Sequence, residues 1–176
     1  MNSKIKSIIN IIGFYIGWWA CVLGAANDLP YLGPVVMILF LIVHYYLFVS
    51  DIREIYLVLI IGTIGTITDS LLFLSGSFIY AGAYSNEILI APMWITAMWM
   101  GFSATVNHSM SWLKDKWLIM VICGIVFGPA AFFTGEKFGA IEFYLSALLS
   151  VLVIAIVYGI LMPAIYFLNR HLGLDE

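Results

Sequence analysis

The most constraining feature of this sequence is a series of six long apolar stretches joined by short connections. They cover residues 8–26, 31–49, 55–77, 88–111, 117–135 and 143–169. An α-helix needs about 20 apolar residues to cross the hydrocarbon core of a bilayer. The stretches are continuously apolar rather than alternating, which disfavours a transmembrane β-barrel. The sequence therefore predicts an all-α polytopic membrane protein, a compact bundle of six transmembrane helices that forms one domain over residues 1–176.

The composition leaves little of the chain for any other kind of structure. Hydrophobic residues make up 64% of the 176 residues, and charged residues only 10%. The mean hydropathy is +1.08. The short connections cannot form a separate soluble domain, and no segment has the basic character that binds nucleic acid. We therefore expect no nucleic-acid partner.

The basic residues predict the orientation of the bundle, because loops rich in Lys and Arg stay in the cytoplasm. With six spans, one side receives six of the seven basic residues: Lys4, Lys6, Arg53, Lys114, Lys116 and Arg170. Only Lys137 falls on the other side. Both termini are therefore predicted to be cytoplasmic.

Small residues recur at helical spacing on three of the stretches. The first carries Gly13 and Gly17, the third Gly62 and Gly65, and the fifth Gly124 with Gly128 one turn later. Small residues let helix backbones approach closely in lipid, where no hydrophobic effect drives association. We expect the first, third and fifth helices to be central, and the bulkier second and sixth to face lipid.

Asp69 is the polar residue that lipid would reject most strongly. It lies about 15 residues into the third helix, or about 22 Å from its cytoplasmic end, which places it in the outer half of the membrane. An ionised carboxylate there costs several kcal/mol unless it is paired or hydrated. Its neighbours Gly62, Gly65 and Thr66 form a narrow polar face, so we expect it to point inward. A proton carrier, a general acid or base, a cation ligand and a purely structural carboxylate all stay open.

Four tryptophans lie at depths where they could surround Asp69. Trp18 and Trp19 fall near the middle of the first helix, and Trp94 and Trp99 lie in the fourth. A buried indole N–H needs an acceptor. The sequence predicts a pocket with apolar walls and one polar point, as in many ligand sites.

A second polar set falls near the cytoplasmic side. His44 lies in the second helix, and Asn107, His108 and Trp112 close the fourth at similar depth. If this part is helical, two stripes with a spacing of four residues form: Ser103, Asn107, Ser111 and Ala104, His108, Trp112. His44, Asn107, His108 and Trp112 are candidate ligand contacts. His108 is also, like Asp69, a candidate acid or base. His44 alone is more typical of helix packing.

Metal and carboxylate-pair sites are less favoured. Two histidines and Asp69 could bind a metal ion, but Asp69 lies at a different depth, so no metal and no cofactor is predicted. Glu142 is expected to open the sixth helix and could pair with Asp69. Stabilisation of the helix N-terminus by its charge is the favoured interpretation. Tyr80, in the loop 75–86, suits a membrane interface.

Several motifs resemble one family over nearly the whole chain. They are the segment Gly17–Ala26, Asp69-Ser70-Leu71, Pro92-Met93-Trp94, Asn107–Trp112 and Gly128-Pro129-Ala130-Ala131, in this order. The pattern is similar to the bacterial inner-membrane family called domain of unknown function 2878. The resemblance implies a small multi-pass protein of the bacterial inner membrane, often encoded near lipid-modifying enzymes. It transfers no catalytic residues.

Three functions from different classes follow. The first is lipid-linked: binding, moving or modifying a membrane lipid through a pocket around Asp69. The second is transport of a small solute or a proton-coupled substrate. The third is a scaffold that holds a partner enzyme of the membrane or the cytoplasm. Membrane lipid is the expected partner in the first case, and the sequence leaves open whether the protein is itself an enzyme.

Overall fold

The computed structural model describes residues 3–84, 90–144 and 146–174. These residues form six α-helices: α1 (Ser3–Ala26), α2 (Leu32–Leu47), α3 (Arg53–Leu74), α4 (Met93–Ser103), α5 (Trp117–Lys137) and α6 (Ala147–His171). Two short strands are β1 (Phe78–Tyr80) and β2 (Ile141–Phe143). Four helices, α1, α3, α5 and α6, are long and apolar enough to cross a membrane, and α2 is a shorter apolar helix. The prediction of an all-α, multi-pass membrane protein is confirmed.

Consecutive helices pack in pairs, α1 with α2, α3 with α4, and α5 with α6, while α4 also contacts α1 and α2. Gly17 of α1 lies against Met37, Gly65 of α3 against Trp99, and Gly124 against the Tyr158 backbone, so a Cβ at each would overlap its neighbour. The predicted close approach at small residues is thus confirmed. The predicted central position of the fifth helix is wrong, because α5 packs mainly against α6, with smaller contacts to β2 and to the 3-10 turn Ser111–Leu113.

The fourth helix is half as long as the predicted stretch 88–111, of which residues 88 and 89 lie outside the described residues. After Ser103 the chain turns irregularly to residue 110 and then forms a short 3-10 turn, Ser111–Leu113. Here the N–H groups of Thr105 and His108 donate to carbonyls three residues back. The side chains of Thr105 and Ser111 bond to nearby carbonyls at 2.6 and 2.8 Å. Such local bonds compete with the helix, so the two predicted helical stripes do not form. The other helices begin and end within a few residues of the prediction.

A two-stranded ribbon closes the end of the bundle opposite the chain termini. Strands β1 and β2 pair antiparallel, with Ile79 opposite Glu142. Alternate side chains of a strand point to opposite faces, so Tyr80 points inward and is buried while Glu142 is exposed. Tyr80 therefore packs inside the bundle, and its position relative to a membrane interface stays a prediction. Glu142 lies in β2 and does not open α6, which removes it as the carboxylate partner of Asp69.

The basic residues gather at the other end. Arg53 at the start of α3 donates through Nη1 to the Leu172 carbonyl beyond α6 at 2.9 Å. Lys114 donates to the Leu174 carbonyl at 2.9 Å. We call this end, which carries Lys4, Lys6, Arg53, Lys114, Lys116 and Arg170, the basic end. Lys137, at the C-terminus of α5, lies towards the ribbon.

Candidate functional site

Helix α3 carries two buried carboxylates, Glu54 near the basic end and Asp69 towards the ribbon. Their relative exposures are 4% and 1%. A separation of 15 residues corresponds to about 22 Å along the axis and a rotation of about 60°, so both lie on one face of α3. The polar groups around them form two separate sites, which we call the Glu54 centre and the Asp69 centre.

The Asp69 centre joins four elements through one carboxylate. Trp99 of α4 donates its indole N–H to Oδ2 at 2.6 Å. Tyr80 of β1 and Tyr158 of α6 each donate a hydroxyl to Oδ1 at 3.3 Å. Gly65, one turn before Asp69, leaves the space that the Trp99 ring occupies. Asp69 therefore points inward as expected, and its hydrogen bonds tie the ribbon and α6 to the α3–α4 pair.

The donors around Asp69 are neutral. Burial, followed by the nearby Asp69 charge, raises the pKa of Tyr80 well above its ordinary value. Its hydroxyl therefore keeps its proton and acts as a donor. Buried carboxylates are stabilised by such donors. In this arrangement both Asp69 oxygens accept hydrogen bonds from side chains that do not titrate near neutral pH, which favours a structural role.

The four predicted tryptophans separate in the structure. Trp99 is the one whose hydrogen bond reaches Asp69 among the described residues. Trp94 donates to the Ala81 carbonyl at 2.9 Å instead. Trp18 and Trp19 contact each other edge to face with ring centroids 4.9 Å apart, and Trp19 continues to Phe138. The four tryptophans therefore do not form the predicted indole-lined pocket around Asp69.

The Glu54 centre brings His44 and His108 together on one carboxylate oxygen. The His44 Nε2 atom lies 3.2 Å from Glu54 Oε1, and the His108 Nε2 atom 2.6 Å from it. His44 comes from α2, Glu54 from the first turn of α3, and His108 from the irregular segment after α4. The predicted histidines do meet at one depth, and Glu54 supplies the carboxylate that Asp69 could not.

Asn10 of α1 determines how His44 is protonated. Its Nδ2 atom donates to the Ala104 carbonyl at 3.0 Å, and its Oδ1 atom accepts from the Ser109 hydroxyl at 2.6 Å and the Ser109 N–H at 3.4 Å. These backbone groups place the Asn10 amide N–H₂ 3.3 Å from His44 Nδ1. The hydrogen-bond network thus assigns Nδ1 as an acceptor, which leaves the proton of neutral His44 on Nε2, donated to Glu54.

The charge of Glu54 needs a partner, because buried charges are paired or bind metal ions. Of the two imidazoles, His108 lies closer to Glu54 Oε1, at 2.6 Å against 3.2 Å for His44. The His108 side chain is 18% exposed against 5% for Glu54. His108 is therefore the more accessible of these two side chains to a molecule at the surface. The three side chains also offer ligand atoms within 4.8 Å of one another, a spacing that suits a metal ion.

The remaining predicted residues lie beside this centre. Asn107 donates its side-chain amide to Asn169 of α6 at 2.9 Å, so it holds α6 in place. Trp112 is 54% exposed and lies under the Lys116 ammonium, which is 5.4 Å from its ring centroid. Trp112 therefore belongs to the surface of the basic end.

The sequence prediction missed Glu54, Asn10 and Tyr158. Glu54 follows Arg53 directly, and its place before the predicted start of the third helix made it a loop residue. The sequence did contain a feature that could have identified Glu54. On a helix it is rotated by about 60° from Asp69, which puts both acids on the face of Gly62 and Gly65. Asn10 and Tyr158 carried no such signal, since a single polar residue in an apolar helix does not indicate its partner.

An apolar crevice of about 100 Å³ lies between α3 and α6. Its lining residues are Ile61, Ile64, Gly65, Trp99, Leu161, Ala164, Ile165 and Leu168. Trp99 belongs both to this lining and to the Asp69 centre. Ile64 is 40% exposed, so the crevice reaches the outer surface of the bundle. A second groove between α5 and α6 is more open and larger, about 410 Å³, and includes Ala155 and Gly159.

Comparison with known proteins adds one finding. No curated protein and no solved structure gives a significant match. A family model described as protein of unknown function (DUF2878) matches residues 7–164. The match includes both carboxylate centres and most of every helix, and it confirms the resemblance found in the motifs. The chain belongs to the DUF2878 family of proteins of unknown function.

Proposed function

We propose that the protein binds a membrane lipid, with an acyl chain in the crevice between α3 and α6 and the headgroup at the basic end. The crevice is the observation that carries this proposal. It is apolar, lies between two long apolar helices, and reaches the outer surface at Ile64. Helices that cross a bilayer present such a surface to lipid tails, so a chain can enter from the side.

The path of the crevice leads towards the Glu54 centre. Ile61 lies two turns along α3 from Glu54, and Leu168 precedes Asn169, which holds Asn107 next to His108. A chain in the crevice therefore places its polar head near the part-exposed His108 imidazole. His108 then acts as the acid or base towards the headgroup, and Asp69 is structural.

The charge of the basic end favours an anionic headgroup. Basic side chains near a membrane surface attract anionic lipids by about 1 kcal/mol each. Arg53 is partly compensated, because its hydrogen bonds lower the pKa of Asp51 and keep that carboxylate ionised. Lys116 is exposed, and so is Arg170, whose nearest acid Asp115 is 3.9 Å away. These two cations are placed to meet a phosphate group.

We further propose six membrane crossings with both termini in the cytoplasm of a bacterial inner membrane. The gathering of basic residues at one end supports this orientation. Helices α2 and α4, with 16 and 11 residues, measure about 24 and 16 Å. The irregular segment after α4 extends that crossing, and non-helical backbone is tolerated at membrane depth where protein encloses it. Residues 103–106 are all buried.

Filling the crevice tests the lipid proposal. Ala164→Phe adds an aromatic ring to the crevice lining, while Ala155→Phe adds the same ring to the open α5–α6 groove and serves as the control. We expect the first variant to lose most co-purified phospholipid, measured by mass spectrometry of the detergent-solubilised protein, and the second to retain it. Equal phospholipid content in both variants and the wild type would overturn the proposal.

The cellular experiment compares the membrane lipids of a deletion strain with those of a His108→Ala strain. A change shared by both strains supports chemistry or transfer at His108, whereas unchanged lipids in both argue against a lipid-linked function. Transport and a scaffold role stay predictions. Transport needs a polar path between the two centres, and α3 buries the apolar Leu57 and Ile61 between them.

A further inference from the structure

We propose that the Glu54 centre binds a divalent transition metal ion through His44, Glu54 and His108, with Zn²⁺ as the experimental probe. The proposal deepens the proposed function, because it concerns the site where the headgroup would lie. Metal binding itself does not depend on lipid, so the two proposals can fail separately.

The donor set matches the chemistry of such ions. Two imidazoles and one carboxylate are typical of catalytic sites for Zn²⁺ and non-haem Fe²⁺, which keep open positions for water or substrate. The three ligand atoms already lie within 4.8 Å of one another. They come from α2, α3 and the segment after α4. The packing of α4 against α1, α2 and α3 therefore holds the three ligand atoms close together before any ion binds.

The charge balance gives an independent reason. The Glu54 side chain is 5% exposed, and its described neighbours His44 and His108 are cationic only when protonated. Asn10 directs its N–H₂ group at His44 Nδ1 from 3.3 Å. A divalent cation would neutralise Glu54 and leave a net positive charge facing the surface, where an anionic headgroup could complete its coordination.

The three ligand atoms can rearrange around an ion with small movements, in which the short contact between Glu54 and His108 widens. Both histidine Nε2 atoms now share Glu54 Oε1, at 3.2 and 2.6 Å. A metal ion replaces the shared protons and takes ligands at about 2.0–2.2 Å. His108 lies in an irregular, part-exposed segment and can move more easily than a helical residue. The same exposure gives the ion a way in.

Asn10 sets a condition that makes the proposal testable. A metal ion on His44 Nε2 requires the proton to sit on Nδ1, which then needs an acceptor. Asn10 must turn its amide so that Oδ1 faces His44, at the expense of its bond to the Ala104 carbonyl. Asn10→Asp supplies that acceptor without a turn and creates the carboxylate–histidine–metal arrangement found in many metal sites.

The experiment measures Zn²⁺ binding to the detergent-solubilised full chain, freed of affinity tags and stripped with EDTA. After equilibration with ZnCl₂ and desalting, elemental analysis should find about one Zn²⁺ per chain. Glu54→Gln should weaken binding by at least tenfold, about the smallest effect expected of a metal-site residue. His108→Gln provides a second test on the part-exposed segment. Asn10→Asp should tighten binding.

Two matched controls separate this site from others. Asp69→Asn changes the other buried carboxylate of α3, and His171→Ala removes an imidazole at the end of α6; both should keep about one Zn²⁺ per chain. The proposal is overturned if the wild type binds no Zn²⁺, or if folded Glu54→Gln and His108→Gln proteins bind like wild type. Loss of Zn²⁺ in His171→Ala alone would assign the metal to the surface. Unchanged Zn²⁺ binding in a folded His44→Gln protein would remove His44 as a ligand.

Discussion

Asp69 and Glu54 are both buried acids on one face of α3, but their partners differ in kind. Asp69 accepts hydrogen bonds from an indole and two phenols that belong to α4, β1 and α6. Glu54 accepts from two imidazoles, one of which is part-exposed. The indole and the phenols are neutral hydrogen-bond donors, whereas an imidazole is a side chain whose ordinary titration range lies near neutral pH. The difference is the basis for our proposal that Asp69 serves stability and Glu54 serves chemistry.

The comparison also shows why burial alone does not identify a functional acid. Asp69 is the more deeply placed of the two and the more conspicuous in the sequence. Its three donors nevertheless belong to separate parts of the fold, so its loss removes one of the ties between the ribbon, α6 and the α3–α4 pair. Glu54 lies near the surface of the basic end, where His108 connects it to the outside. Predictions for the two centres therefore separate stability from activity.

The largest expected effect on stability is that of Asp69→Ala. Removal of the carboxylate leaves the Trp99, Tyr80 and Tyr158 donors buried without an acceptor, and each orphaned group costs about 1–3 kcal/mol. We expect a loss of about 3–5 kcal/mol in the free energy of unfolding, measured by denaturation in detergent. Zn²⁺ binding per folded chain should not change. A variant as stable as wild type would contradict the structural role.

Gly65→Ala should give the next largest effect. A methyl group at this position would overlap the rigid Trp99 ring and push its indole away from Asp69. Overpacking of this kind costs about 1–3 kcal/mol. Gly62→Ala is the matched control, because its methyl group meets the flexible Met100 side chain 2.5 Å away. Equal melting temperatures of the two variants in detergent would show that the Trp99 contact contributes little.

Glu54→Gln should reduce stability less than either change at the Asp69 centre, while it removes the chemistry of the site. Glutamine keeps an acceptor for the two imidazoles but loses the charge that strengthens both bonds, which costs about 1–2 kcal/mol. We expect the purified variant to elute in gel filtration like the wild type. A strain that carries Glu54→Gln should have the same membrane lipids as the deletion strain. Wild-type lipids in a Glu54→Gln strain with altered lipids in Asp69→Asn would reverse the assignment of the two centres.

Tyr158→Phe removes one donor from Asp69 and leaves the other two. The hydrogen bond is long, 3.3 Å, so we expect a loss of about 1 kcal/mol. Because Tyr158 links α6 to α3, hydrogen exchange of α6 backbone amides should become faster. Tyr144→Phe is the control, since Tyr144 is 70% exposed. Unchanged exchange in α6 would mean that Asn107 and Asn169 suffice to hold that helix.

The sequence predicted the membrane class, the close helix contacts at glycine and the inward direction of Asp69, because each depends on local hydrophobicity and spacing. It did not predict the partners of Asp69. Tyr80 reaches Asp69 only because β1 and β2 pair across a long stretch of chain. Tyr158 reaches it only because of how the α5–α6 pair docks. Pairings of this kind are absent from the pattern of any one segment.

The error at the fourth helix has a different cause. The stretch 88–111 is predicted to be one span, yet its last part contains Thr105, Asn107 and Ser109, whose side chains bond locally or to other helices. The helix ends, and the irregular backbone turns His108 towards Glu54. The residues that ended the helix therefore built the Glu54 centre. Hydropathy averages over such residues and cannot detect the change.

Trp112→Ala should have the smallest effect. It tests whether the chain after Ser103 is irregular or continues the fourth helix. A continuous helix would place Trp112 one turn beyond His108 on the same face, within the site. The irregular segment instead exposes it under Lys116. An exposed substitution of this kind changes stability by about 0.5 kcal/mol or less. Melting temperature, Zn²⁺ binding and co-purified lipid should all stay near wild type. Loss of Zn²⁺ binding in this variant would mean that Trp112 belongs to the Glu54 centre and that the segment after α4 folds as a helix in the membrane.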